Sequence, residues 1–399
     1  MSAATAERTR RVMSRRAASW VVAGAFLITM IGTTLPTPLY PLYEQRFGFG
    51  GVMVTVIFAT YAVGVIAALL LVGRLSDQIG RRAVLLPGLA FAAASALAFL
   101  IPGSEPALFL GRVLSGLSAG VFTGTATAAI IDLAPEDRRR RAGLVAAAVN
   151  MLGLGLGPVV SGFLAQYARW PLQLSYLVHL GLVAVAGAAL WFMPEPVDRA
   201  SGPVHLRVQR LRVPAQIHGT FVRAAIAGFA GFAVLGLFTA VSPSLLNQVL
   251  HRANHLVTGA VVFALFGSSA TGQLVSAALG ERVSLLAGCQ GLIVGVVLVG
   301  AGIAVGSLAL LVAGAIVAGL GQGMSFRAGL SAVAAGAPAR QRSGVTSSFF
   351  LILYIAISVP VIGVGVASQM FGLMAAGVVF AGIVAVLAGV AFVSLLLRR

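Results

Sequence analysis

Gly73-Arg74-Leu75-Ser76-Asp77-Gln78-Ile79-Gly80-Arg81-Arg82 is a polar stretch lying between two long apolar runs. It holds the charges of Arg74, Asp77, Arg81 and Arg82 in a chain of which only 9% is charged, and its flanking glycines permit a tight turn. In a soluble protein this would be an ordinary surface loop. Here the neighbouring runs, 51–72 and 83–101, are each long enough to cross a hydrocarbon core of about 30 Å as a helix. The stretch therefore reads as a hinge at a membrane surface.

Outward from the hinge, apolar runs recur along all 399 residues, 59% of which are hydrophobic, with a mean hydropathy of +1.00. One soluble domain cannot hide that much apolar surface. Spans are expected at 17–39, 51–72, 83–101, 106–131, 142–165, 172–193, 221–246, 256–279, 284–303, 307–333, 343–368 and 371–396. Barrel-type alternation is absent, so the backbone must satisfy itself within helices. The expected fold is an all-α polytopic membrane protein of twelve transmembrane helices in two pseudo-symmetric six-helix bundles, 17–193 and 221–399, with a tail over 1–16 and a linker over 194–220.

The formal charge of +17 comes from 27 arginines, with no lysine, against 10 acidic residues. Most of the arginines fall in short connections between spans, so they set orientation and do not read as a nucleic-acid surface. One side holds Arg8 to Arg16, the hinge, Arg138 to Arg141, the linker arginines, Arg282, Arg340, Arg342 and the C-terminus; the other offers Arg46, Arg169 and Arg252. Both termini are expected in the cytoplasm of an inner or plasma membrane, with the first span retained and not cleaved as a leader. Cys289 is the single cysteine, which excludes an internal disulfide or a cysteine metal cluster.

Three spans carry irregularities. The first ends in Leu35-Pro36-Thr37-Pro38-Leu39-Tyr40-Pro41, which cannot be regular helix throughout, because each proline lacks an amide donor. This reads either as a frayed end with Tyr40 and Tyr43 in an aromatic belt, or as a broken helix that bends. The fourth carries Gly111, Gly116, Gly120 and Gly124, which allow close helix approach, and Arg112, either a functional charge or an outer anchor. The fifth holds Asn150, Gly153, Gly157, Pro158 and Gly162, a close-packed kink or a kink that moves. A weak repeat supports two halves. Gly111, Gly116 and Gly120 recur as Gly314, Gly319 and Gly323, while Pro38 and Pro158 are echoed by Pro243 and Pro360.

With these residues in place, the pattern resembles the major facilitator superfamily of secondary transporters. The hinge is similar nearly residue for residue to the family's signature loop between helices two and three. The segment Gly111 to Gly120 with Arg112 resembles the fourth-helix motif. Gly153, Gly157-Pro158 and Gly162 resemble the fifth-helix motif of proton-driven exporters, with Ser161 in place of a glycine. The resemblance implies alternating access. It casts Asp77 and Arg81 as a latch on the cytoplasmic side, supported by Gly73, Arg74, Gly80 and Arg82, with Asp132 joining the network.

No carboxylate falls at mid-membrane by this reading, so a simple acidic proton relay is missing. Arg112 and His179 are the coupling candidates. Asn150, Gln173, Tyr176, Gln273, Gln322, Tyr61 and Tyr354 are the cavity candidates, a weakly polar set that suits hydrophobic or amphipathic solutes. The expected function is export of such solutes as a monomer, driven by a proton gradient, with no cofactor and no metal. A sugar or small-metabolite carrier remains as an alternative, as does a non-transporting receptor or assembly protein on the same scaffold. No nucleophile elbow, phosphate loop or metal-spaced cluster points to an enzyme.

Overall fold

The computed structural model describes residues 13–72, 75–197, 211–338 and 341–397. Gly73, Arg74, the linker residues 198–210, Arg340 and both chain ends lie outside them. Among the described residues, twelve helices are long and apolar enough to cross a membrane. We number only these: α1 Arg15–Thr34, α2 Gly51–Val72, α3 Arg81–Leu100, α4 Glu105–Leu133, α5 Arg139–Tyr167 and α6 Pro171–Trp191. The second set is α7 His218–Ala240, α8 His255–Ala278, α9 Glu281–Ala304, α10 Leu308–Gly336, α11 Arg342–Phe371 and α12 Leu373–Leu396.

The two sets repeat one packing plan. Helix α4 lies against α2 and α3, and α10 lies against α8 and α9. The glycine echo explains why. A Cβ at Gly116 would overlap the Tyr61 carbonyl of α2, and one at Gly319 would overlap the Leu265 carbonyl of α8. Gly111 faces the Phe99 ring of α3, and Gly314 the α9 backbone. Even the helix starts correspond: Ser104 accepts from the Ala107 amide at 3.3 Å and Ser307 from that of Leu310 at 3.4 Å. Small residues let backbones approach where lipid offers no hydrophobic drive for helix association. Gly124 departs from the pattern, because nothing lies within 4 Å of its Cβ position.

The bundles meet along α5 with α8 and α2 with α11. Glycines again set the spacing, since added Cβ atoms at Gly162, Gly259 and Gly365 would overlap His255, Pro158 and Thr55 across the interface. Helix α5 also uses a second glycine face within its own bundle, where Gly153 and Gly157 press on Leu27, Met30 and Ile31 of α1.

Two expected spans are shorter than their apolar runs. α1 stops at Thr34, followed by a 3-10 turn over Thr37–Leu39 and a short helix over Tyr40–Phe47. Tyr40 and Tyr43 are only 2% and 4% exposed, so they pack inward and form no aromatic belt. The seventh span, expected to run to 246, ends at Ala240 and continues as Ser242–Ser244 and a π-turn over Leu245–Val249. Pro243 supplies the physical reason, for it has no amide to continue the ladder. The two halves therefore break their first helices alike, on the face opposite the arginine-rich helix ends.

Candidate functional site

The broken end of α1 creates the site. With no amide on Pro36, the Gly32 carbonyl loses its donor four residues on, and the last carbonyls of α1 form the negative end of a helix dipole. Arg112 of α4 fills that position. It is 1% exposed and donates from Nη1 to the Thr33 carbonyl at 2.8 Å and from Nη2 to the Phe58 carbonyl at 3.3 Å. Its guanidinium also lies 5.3 Å from the Phe58 ring centre and 4.9 Å from that of Tyr61, within cation–π range. Nε has no partner. Arg112 is thus a buried charge joining α1, α2 and α4, and it does not snorkel to the outer edge.

Beside Arg112 is a cavity of about 70 Å³ walled by both bundles. The first contributes Thr33, Phe58, Tyr61, Arg112, Asn150 and Leu154; the second contributes Phe232, Phe266, Phe326, Phe350 and Tyr354. Tyr61 and Tyr354 meet edge-on across the interface, with ring centres 6.2 Å apart. Phe326 packs against Phe232 at 5.4 Å and Phe350 at 6.1 Å. No Asp or Glu lines this space among the described residues. A second cavity of about 330 Å³, between Thr55 of α2 and Val241, Ser244 and Gly365 of the other bundle, lies toward the face of the helix breaks. On that face His255 ties the bundles together: its Nδ1 is 2.8 Å from the Pro38 carbonyl, and its amide donates to Gln166 Oε1 at 3.0 Å.

At the arginine-rich face the hinge is an ion-pair hub. Residues Leu75–Ile79 form a helical turn, and Gly80 takes φ +102°, which only glycine adopts without strain. Arg81, its side chain 10% exposed, reaches Asp77 at 2.5 Å, Asp132 at 3.0 Å and Ser76 Oγ at 2.6 Å. Asp132 therefore belongs to the network. Asp77 is 59% exposed and pairs with Arg81 four residues on. Glu195, just past α6, accepts from the Arg81 amide at 2.6 Å and the Arg82 amide at 3.1 Å, and so caps the start of α3. Arg82 in turn donates to the Met193 carbonyl at 3.2 Å. A hollow of about 160 Å³ lies under the hinge, bordered by Asp77, Arg81 and Gly124, whose missing side chain leaves that room.

The remaining candidates lie elsewhere. Tyr176 donates or accepts at 3.0 Å with Tyr43 and stacks on Phe99 at 4.8 Å, inside the first bundle. His179 packs its ring where a Gly32 side chain would stand and leaves Nδ1 without a partner. Gln173 sits in the first turn of α6. Gln322 lies against Gly231 and accepts from Ser269 at 2.5 Å, a polar joint within the second bundle, and Gln273 is 2% exposed near Gly323 with its amide nitrogen unpartnered. Asn150, Tyr61, Tyr354 and Arg112 do face the cavity. Missing from the sequence reading were the five wall phenylalanines, Glu195 and His255. A phenylalanine in a chain with 22 of them gives no signal of which way it faces.

A sequence profile described as "Major Facilitator Superfamily" matches residues 22–359. The putative multidrug resistance protein MdtD of Escherichia coli O81 (strain ED1a) is 23% identical over 241 residues, 59% of this chain and 50% of that protein. The quinolone resistance protein NorA of Staphylococcus aureus (strain Mu50 / ATCC 700699) is 30% identical over 145 residues, 36% of this chain and 37% of that one. The chain thus spans half or less of the length of these curated relatives. Among solved structures, an inward-facing, unoccupied bacterial homolog of the human lysosomal transporter Spinster superposes with a TM-score of 0.72 at 15% identity, covering 96% of this chain and 98% of its own. The human organic anion transporter MFSD10 (TETRAN) gives 0.67 at 20% identity, covering 96% and 99%.

Proposed function

Because this chain belongs to the major facilitator superfamily, we propose that it is a secondary carrier that exports small hydrophobic or amphipathic molecules by alternating access, using the proton gradient. The observation that carries this reading is the aromatic cavity walled by both bundles, since a solute held there touches both moving bodies. Rocking of one bundle against the other then exposes it to either side. A single chain completes the cavity, so the monomer is the working unit.

Export is favoured by the relatives named for drug resistance, and proton coupling by the fifth-helix motif. The orientation with termini in the cytoplasm follows from the arginine-rich ends. A cavity with one guanidinium and no carboxylate among its described lining residues favours neutral and anionic amphiphiles over lipophilic cations. The fold neighbour named an organic anion transporter fits that preference. In this scheme Arg112 and His179 serve coupling, and the hinge with Asp77, Arg81 and Asp132 serves as the latch, because ion pairs at a partly exposed surface are weak enough to break in each cycle.

The test is accumulation in inverted membrane vesicles of a neutral aromatic drug, an aromatic acid, a lipophilic cation and a sugar, before and after collapse of the pH gradient. The neutral drug or the acid accumulates, and accumulation vanishes with the gradient. A sugar that equilibrates regardless of the gradient would instead establish a facilitator.

A further inference from the structure

A further cavity lies where the first turns of α1, the end of α4 and the first turns of α5 meet. It measures about 610 Å³. Its rim carries Arg15, Arg16, Arg138, Arg139 and Arg141 against the single carboxylate of Glu136. Its inner wall is apolar, formed by Ala23, Leu133, Ala142 and Val145, and Trp20 at its edge is 64% exposed.

The internal bonds of the described residues leave most of this charge unspent. Arg15 donates to the Asp132 carbonyl at 2.6 Å, and Arg138 lies 3.5 Å from Asp137 in a pair that is largely exposed. The side chains of Arg16, Arg139 and Arg141 make no hydrogen bond or ion pair with another described residue. The combination of a cationic rim, an apolar wall and an exposed indole one turn inside a helix end matches the membrane interface, where headgroups are charged and chains are not. A soluble anion would use the rim alone and leave the apolar wall and the indole facing water.

We propose that this groove binds the headgroup and upper acyl chain of an anionic phospholipid. The guanidiniums hold the phosphate, in bidentate fashion where their geometry allows, and Trp20 with the apolar wall holds the chain. The site borders the hinge, because Arg15 donates to the carbonyl of Asp132, whose carboxylate holds Arg81. The proposal does not depend on what the carrier moves.

The purified full-length chain in neutral detergent is titrated with phosphatidylglycerol, with phosphatidylcholine and with inorganic phosphate, and its thermal midpoint is recorded. Phosphatidylglycerol raises the midpoint saturably; the other two leave it in place. The triple substitution Arg16→Gln, Arg139→Gln, Arg141→Gln weakens the apparent affinity on the order of a hundredfold, taking about 1 kcal/mol for each surface cation near an anionic lipid. The control pair Arg282→Gln, Arg342→Gln, exposed on the same face of the other bundle, leaves it unchanged. Equal stabilisation by inorganic phosphate would make the groove a soluble-anion site. No midpoint change with phosphatidylglycerol, or an unaltered affinity in the triple variant, would overturn the proposal.

Discussion

Arg112 shows how the membrane tolerates a charge that costs about 2.5–3.5 kcal/mol at the centre of an inserting helix. Two backbone carbonyls, two aromatic faces and the end of a broken helix share that cost. Arg112→Ala leaves the Thr33 carbonyl buried without its donor and is expected to lower stability by roughly 1–3 kcal/mol and abolish transport. Arg112→Lys keeps the charge but loses the planar fork that reaches two carbonyls, so it is expected to fold and lose most turnover. Thermal midpoint and vesicle transport, measured together, separate the two effects; full transport by the alanine variant would remove Arg112 from the mechanism. At the hinge, Asp77→Asn is expected to fold normally, because its carboxylate is largely exposed, yet to slow turnover. Glu195→Gln weakens the cap of α3 and is expected to cost about 1 kcal/mol, read as a lower midpoint. The hinge motif made Asp77 and Arg81 legible in the sequence, and the family resemblance added Asp132, but Glu195 carried no such mark, since a lone acid after a span looks like any loop residue.

Elements carry the next level of the design. The prolines of the first span and the arginine of the fourth are separate signals in the sequence, and the fold joins them: the guanidinium binds the Thr33 carbonyl where the first helix ends. Span positions were legible because runs of membrane length are long, uniformly apolar and nearly free of charge. The early end of α7 was not, because Pro243 lies in an apolar run that hydropathy cannot divide. Gly157 presses on the Ile31 carbonyl of α1, so Gly157→Val is expected to misfold or to shift α5, with loss of roughly 1–3 kcal/mol from overpacking. His255 and Gln166 fasten α5, α8 and the end of the first span on one face. His255→Ala is expected to open that face, seen as faster thiol labelling of a cysteine placed at Ser244 in a Cys289→Ala background. Cys289 is fully buried, so its removal leaves a clean background. Unchanged labelling would mean that the bond from the His255 ring to the Pro38 carbonyl does not hold the face shut.

At the scale of the whole molecule, composition alone excluded a soluble fold, and the repeat of glycines anticipated two halves built alike. Which helix faces meet at the centre was not legible, because lipid and protein interior are equally apolar and the sequence marks both with the same residues. That is why Gln322 and Gln273 read as cavity groups yet lie outside the lining of the aromatic cavity, while the phenylalanines of its wall passed unnoticed. Alternating access requires the two faces to open in opposition about this wall. The decisive measurement is a pair of spin-label distances in reconstituted protein, one between positions Arg169 and Arg252 on the face of the helix breaks and one between Asp137 and Arg282 on the arginine-rich face, recorded at two pH values and with a transported solute. Reciprocal change is predicted, one distance lengthening as the other shortens, with Asp77→Asn shifting the balance between them. Two distances that stay fixed under every condition, or that lengthen together, would contradict the carrier mechanism.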